Sequence, residues 1–366
     1  MAETATATRR RHAVFHPLSV QAIEPLTDDA VAITFEVPDE LKDEFEFTAG
    51  QHLNIRTAGA GDDTRRSYSI CSPAGSGVLR IAVKVIPGGH FSAYAATGMK
   101  VGDVVDVMTP LGRFNTPLDP ANAKHYAFVA AGSGITPVLS LIATTLAVEP
   151  HSRVTLLYGN RTAGSVMFAD ELADLKDSYA ERLHLVHVLS RESTGVELFN
   201  GRIDADRLSR ILDTILPADS VDEWFLCGPY AMVVGAQEVL TGRGVERRHI
   251  HAELFHVGDI PPPPAEQAAP VDEDAAEVTV VLDGRRSTFG LKEHDKPVLD
   301  ATLAVRSDAP FACKGGVCGT CRAKLVDGTV RMDTNWALEP DEVRAGYVLT
   351  CQSHPTSPTV TLDYDA

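Results

Sequence analysis

Cys313, Cys318 and Cys321 are spaced C-x4-C-x2-C, and after 29 further residues comes Cys351. That is the plant-type spacing of the four ligands to a [2Fe–2S] cluster, and such a centre passes single electrons. Three of the thiolates come from one short loop, so its backbone must wrap tightly. Gly315, Gly316 and Gly319 lie in that loop, where they can take up positive φ and leave amides bare toward sulfur. A zinc site would more often show two C-x2-C pairs, and a disulfide framework belongs to secreted chains.

Four other segments could hold a dinucleotide or a flavin. Arg66-Ser67-Tyr68-Ser69 supplies a flat aromatic for a ring to pack on, a hydroxyl for its edge and a cation for a nearby phosphate. Taken alone, the four residues read more readily as a surface strand. The turn Gly88-Gly89-His90-Phe91-Ser92 then opens a short helix, whose free N–H groups and Ser92 hydroxyl could bind a pyrophosphate. An ordinary capped helix start has the same look. Gly132-Ser133-Gly134-Ile135-Thr136-Pro137 follows the apolar run 126–131 and precedes another apolar run. Strand, glycine turn and helix in that order cradle a dinucleotide phosphate. Proline at 137 departs from G-x-G-x-x-G. Cys227-Gly228-Pro229 ends a further apolar strand, where a nicotinamide ring could approach the backbone against a small soft thiol. A buried structural cysteine is the plain alternative.

The elements that must position these residues fall into blocks. From about 14 to 115 the chain reads as short alternating strands such as 31–37 and 79–85, the pattern of an antiparallel β-barrel. From about 124, strand-and-helix units predict α/β layering on a parallel sheet. Four consecutive prolines at 261–264 and the acidic Asp272-Glu273-Asp274 mark a stiff linker. The expected organisation is therefore multidomain: a flavin-binding barrel over 13–117, a parallel α/β nicotinamide domain over 123–258, a Pro-rich linker over 259–276 and an α+β ferredoxin-like domain over 277–366. The formal net charge of −17 and pI near 5.1 speak against nucleic acid or an anionic membrane as a partner. From Asp259 onward, 18 acidic residues face 10 basic ones, an excess that serves solubility or docking. Arg9-Arg10-Arg11 is followed by no apolar stretch, so neither export nor a membrane span is expected and a reducing cytoplasm fits. Glu181-x-x-His184, Glu246-x-x-His249 and Glu253-x-x-His256 match the E-x-x-H string of di-iron carboxylate proteins. They lie at strand-like runs rather than on bundle helices, so any oxygen chemistry belongs to a separate protein.

In order and spacing, R-x-Y-S, G-x-x-S, G-x-G-x-T-P and C-G-P-x-x-M resemble the ferredoxin–NADP reductase superfamily. The appended cysteine domain makes the chain similar to its oxygenase-reductase branch, with flavin, nicotinamide and ferredoxin modules in sequence. Three segments, 158–162 with 166–168, 196–202 and 251–255, look most like reductases of ring-epoxidising complexes acting on aryl-CoA thioesters. The resemblance implies that Arg66, Tyr68, Ser69, Gly89 and Ser92 hold FAD, with Lys84 near its ribose or phosphate. It places Gly132, Gly134, Thr136, Cys227, Gly228, Pro229 and Met232 around the nicotinamide dinucleotide, and Glu253 and Phe255 at the flavin–nicotinamide junction. Tyr68, Ser69, Cys227 and Glu253 are the expected catalytic set. Arg161, after the second strand of the α/β unit, could pair with a 2′-phosphate, which favours NADPH over NADH. Cys313, Cys318, Cys321 and Cys351 are the expected cluster ligands.

Nicotinamide gives up two electrons as hydride while the cluster takes one, so a flavin must convert between them. The expected acceptor is the di-iron oxygenase component of a multicomponent monooxygenase. A reductase for a Rieske-type or ketosteroid hydroxylase shares these modules, and a redox-sensing module without turnover is the non-enzymatic alternative.

Overall fold

In a computed structural model, residues 14–56, 65–86, 88–256, 275–292, 296–306 and 308–366 are described. The chain divides into two compact units, His16–Ile260 and one that contains Pro261–Ala366. The segment read as linker lies outside the described residues up to 274.

The first unit begins with six strands, β1 Phe15–Thr27, β2 Ala30–Glu36, β3 His52–Arg56, β4 Arg65–Ser69, β5 Leu79–Lys84 and β6 Val104–Met108, with helix α1 His90–Thr97 between the last two. They form one sheet in the order β4-β3-β6-β1-β2-β5. An antiparallel bridge from Ile70 to Ile81 joins its two ends, so the sheet closes as a barrel. Alternation drives this: in β2, Ala32, Ile33 and Phe35 are buried while Glu36 is exposed. Leu53, Ile55, Ile70, Ile81 and Val107 fill the interior.

The same unit continues as β7 His125–Ala131, α2 Ile135–Val148, β8 Arg153–Asn160, α3 Ala169–Ser178, β9 Leu183–Leu189, α4 Ala205–Thr214, β10 Glu223–Pro229, α5 Tyr230–Gly242 and β11 Ile250–His256. These strands make a five-stranded sheet in the order β11-β10-β7-β8-β9, parallel at every pairing. Helix α2 is buried over nearly its whole length, from Ile135 to Leu146, because it is covered on both sides. One face packs on the sheet and the other meets the barrel, where Ser140 Oγ donates to Ser72 O at 2.7 Å and Ala74 N to Thr144 Oγ1 at 3.0 Å. Barrel residues Ala49, Cys71 and Phe114 share one apolar cluster with Phe128, Leu141 and Phe225 of the α/β layer. Barrel and sheet are thus one packed body.

In the second unit, β12 Ala276–Leu282, β13 Arg285–Leu291, α6 Val298–Val305, β14 Arg322–Asp327, β15 Val330–Met332, α7 Pro340–Arg344, β16 Tyr347–Leu349, β17 Ser353–Pro355 and β18 Thr359–Asp363 follow. The main sheet runs β13-β12-β18-β14-β16, and β15 pairs with β17 apart from it. This is the α+β layout expected. None of the three E-x-x-H strings lies on an α-helix; His184 and Glu253 are in β9 and β11, and Glu246 precedes a 3-10 turn.

Candidate functional site

In the α/β sheet the chain runs outward from β7 in both directions, so the strand order reverses between β7 and β10. Ligands of open α/β sheets bind at the carboxyl ends of strands at such a point. The two glycine turns from the sequence flank it. Gly132 adopts φ 54° and its carbonyl accepts from Tyr158 Oη at 3.0 Å, which pins the turn to the next strand. Gly134 lies so close to β10 that a Cβ there would sit 2.2 Å from Cys227 O. Thr136, fully buried, donates to Ser133 O at 3.0 Å and closes the first helical turn. Across the crevice, Gly228 lies against Met232, whose Cε a Cβ at 228 would meet at 2.7 Å, while Pro229 stays exposed.

Cys227 and Glu253 are neighbours in the parallel register of β10 and β11. Ser69, the last residue of barrel strand β4, donates its hydroxyl to Glu253 Oε2 at 3.2 Å. These three, expected together, are brought together, from two modules and three strands. Cys227 is inaccessible, and burial with the nearby Glu253 charge pushes its thiol well up. Crowding also desolvates the half-buried Glu253 carboxyl and raises it to about 7, against the Ser69 hydrogen bond that lowers it. A carboxyl that titrates near neutrality at a ligand crevice is poised for chemistry. Phe255 lies two residues further along the same strand, exposed.

Tyr68 is half-buried against Phe91 of α1, ring centroids 5.1 Å apart, and burial pushes its phenol up. Arg66 is exposed on the same strand, its Nη1 on Arg65 O at 2.8 Å. Gly89 caps α1. Ser92 is buried, its Oγ between Gly89 O and Ile86 N at 3.3 Å each. Its hydroxyl shapes the turn, and the amides at the start of α1 are what the turn offers a pyrophosphate.

Lys84 and Arg161 meet at a residue that no motif in the sequence marks. Asp29, in the turn between β1 and β2, pairs with Lys84 Nζ at 3.0 Å and with Arg161 Nη2 at 2.8 Å. Burial pushes the Asp29 carboxyl up, and the hydrogen bonds from Lys84, Thr27 and Arg161 outweigh that and hold it below the ordinary range. An Asp-Asp pair in a β-turn is common turn chemistry, so nothing local sets it apart.

In the second unit the four cysteines group as two pairs, Cys313 with Cys318 and Cys321 with Cys351, each thiol shifting its partner's ionisation. Two irons with two thiolates each fit that arrangement. The amides of Gly315, Val317 and Cys318 donate to Cys313 Sγ at 3.3, 3.4 and 3.4 Å, so the loop is built to receive negative charge on sulfur. Lys314, Gly316 and Gly319 take positive φ of 52°, 74° and 67° to make the wrap. Behind the buried pair, Tyr364 Oη donates to Thr350 Oγ1 at 2.9 Å, and Thr350 Oγ1 donates to Cys321 O at 3.0 Å. Arg322, next to the third cysteine, pairs with Glu342 at 2.8 Å and covers the Tyr347 ring at 3.9 Å.

Residues 17–116 match the oxidoreductase FAD-binding domain, 128–238 the oxidoreductase NAD-binding domain and 280–356 the 2Fe-2S iron-sulfur cluster binding domain. The chain is 44% identical over 352 residues to a subunit of the 1,2-phenylacetyl-CoA epoxidase of Escherichia coli (strain K12), a match covering 96% of this chain and 98% of that one. To the ferredoxin reductase component of the 3-ketosteroid-9-alpha-monooxygenase of Rhodococcus rhodochrous it is 34% identical over 358 residues, covering 95% and 96%. Phthalate dioxygenase reductase shares the fold, with a TM-score of 0.57 and 23% identity over 95% of this chain and 98% of that structure.

Proposed function

This chain belongs to the ferredoxin–NADP reductase superfamily, among the reductase components of multicomponent oxygenases, and from that premise we propose that it carries electrons from NADPH to the di-iron oxygenase component of a phenylacetyl-CoA epoxidase. It is an oxidoreductase with FAD, nicotinamide and [2Fe–2S] domains in one polypeptide. The observation that carries the choice of partner is the E. coli relative, matched along nearly the whole of both chains.

FAD supplies the exchange between a two-electron donor and a one-electron acceptor. What the chain's own residues do is bind, orient and exclude water. Tyr68, backed by Phe91, offers its face to a flavin ring, and Arg66 and the start of α1 take the phosphates. Gly132, Gly134 and Thr136 hold a pyrophosphate at the head of α2. Cys227, Gly228 and Pro229, with Met232 behind them, leave a shallow bed for a nicotinamide ring. Ser69 and Glu253 hold a proton or a negative charge where that ring meets the flavin. Cys313, Cys318, Cys321 and Cys351 would hold the cluster. Arg161 reads the 2′-phosphate that favours NADPH. Among the described residues no helix is long and apolar enough to cross a membrane, and the reading places the work in the cytoplasm with free thiols.

The test is reconstitution. Purified chain, NADPH and phenylacetyl-CoA epoxidase oxygenase components should yield NADPH-dependent epoxidation. If only a ketosteroid hydroxylase is supported at a comparable rate, the assignment passes to that rival reading.

A further inference from the structure

Lys84 and Arg161, two of the three cations expected near dinucleotide or flavin phosphates, are both held by Asp29. Arg161 follows β8 in the α/β sheet, whereas Asp29 and Lys84 belong to the barrel, so the carboxylate ties the two modules at the edge of the binding face. Beside it lies a cleft of about 350 Å³ lined by Asp28, Asp29, Arg161, Thr162, Ser165 and Arg191, among others. Arg191 is exposed, and its backbone N–H donates to Arg161 O at 2.8 Å. That backbone bond sets the two arginine-bearing loops side by side. Gly164 in the same wall would tolerate a Cβ with nothing within 4 Å, so the cleft is open there.

An anionic group entering this cleft meets an arginine already engaged by a carboxylate. A phosphomonoester carries close to two negative charges and prefers the planar guanidinium fork, but beside Asp29 it also faces like charge. A half-exposed ion pair is weak and exchanges readily. We propose that Asp29 is a specificity-determining latch: the phosphate on a nucleotide ribose must displace it from Arg161, so Asp29 sets how strongly the chain discriminates a phosphorylated from an unphosphorylated dinucleotide. The inference rests on the reading of Arg161 as the 2′-phosphate ligand. It adds a carboxylate, contributed by the barrel, that tempers this recognition and is released when the phosphate binds.

The experiment is titration of the FAD-loaded full chain with 2′,5′-ADP and with 5′-AMP, followed by flavin absorbance or calorimetry, for wild type, Asp29→Asn, Asp28→Asn and Arg161→Ala. Asp29→Asn should tighten 2′,5′-ADP by about fivefold and shift 5′-AMP by less than about twofold. Asp28→Asn removes the same charge from the same cleft without touching a latch, and should do less than half as much. A wild type with no preference for 2′,5′-ADP, or an Arg161→Ala variant that keeps the preference, overturns the phosphate reading and the latch with it. A preference that is present and lost in Arg161→Ala, yet unmoved by Asp29→Asn or moved equally by Asp28→Asn, overturns the latch alone. If Asp29→Asn does not retain flavin, Asp29→Ser, which suits the same turn, carries the same comparison.

Discussion

Ser69 Oγ and Glu253 Oε2 stand 3.2 Å apart across 184 positions of sequence, and their hydrogen bond joins the end of a barrel strand to the last strand of the parallel sheet. Neither module alone makes this contact. It lies beside Cys227, at the point of strand reversal where a nicotinamide and a flavin would meet.

Glu253 gives the first prediction. Its carboxyl titrates near 7 because desolvation disfavours the charged form. A nicotinamide gains positive charge as it loses hydride, and an ionised carboxylate alongside stabilises that charge. Anaerobic flavin reduction by NADPH, followed by stopped flow, should therefore speed up as pH rises through about 7. Glu253→Gln should give a flat profile at the low-pH level, about tenfold slower than wild type at pH 8. Stability should move the opposite way. A folded-state value raised from 4.5 to about 7 adds stability that is complete below the unfolded value and fades as pH climbs through the folded one. Denaturant melts of wild type against Glu253→Gln between pH 4 and 8 check that sign.

The site was legible where its signals are local. Gly132 to Pro137 and Cys227 to Pro229 each sit in a strand–turn–helix segment whose residues are contiguous, so pattern put them at strand ends, while their roles rested on the resemblance. Helix α2 spans Ile135–Val148, and its polar Ser140 and Thr144 are buried through bonds to backbone carbonyls that no local pattern announces. Asp29 was invisible for another reason. Its function depends on Arg161, 132 positions away, and a turn aspartate has a sufficient local explanation. Ser92 shows the converse, a residue at the expected place whose hydroxyl is occupied by its own turn.

Two glycines of one turn should behave differently. At Gly134 an added Cβ would lie 2.2 Å from Cys227 O and 2.6 Å from its carbonyl carbon. Backbone cannot step aside as a side chain can, so Gly134→Ala should cost about 3 kcal/mol and raise the KM for NADPH. At Gly132, with φ 54°, nothing lies within 4 Å, and only backbone strain of about 1 kcal/mol is expected. Urea melts of the two variants separate crowding from strain.

Tyr364, two residues from the end of the chain, packs against both apolar clusters of the second unit and bonds through Thr350 to the carbonyl of Cys321. Tyr364→Phe keeps the packing and removes the hydroxyl. It should leave Thr350 short of a partner, lower the stability of this unit by about 1 kcal/mol and hasten cluster loss. Bleaching of the visible absorbance in excess chelator, timed against wild type, reads the effect.

Cys351 reaches its site from the loop after β16, held by the turn in which Gln352 N donates to Leu349 O at 2.9 Å and Gln352 Nε2 donates to Lys314 O at 2.8 Å. Cys351→Ser preserves volume and these bonds, so the fold should persist while the soft ligand is lost. The purified variant should carry little iron and should fail to reduce cytochrome c. Anaerobic bleaching of its flavin by NADPH should stay within about twofold of wild type, because Ser69, Cys227 and Glu253 lie in the other compact unit. Equal loss of both activities would contradict an order of carriers in which nicotinamide meets flavin before iron.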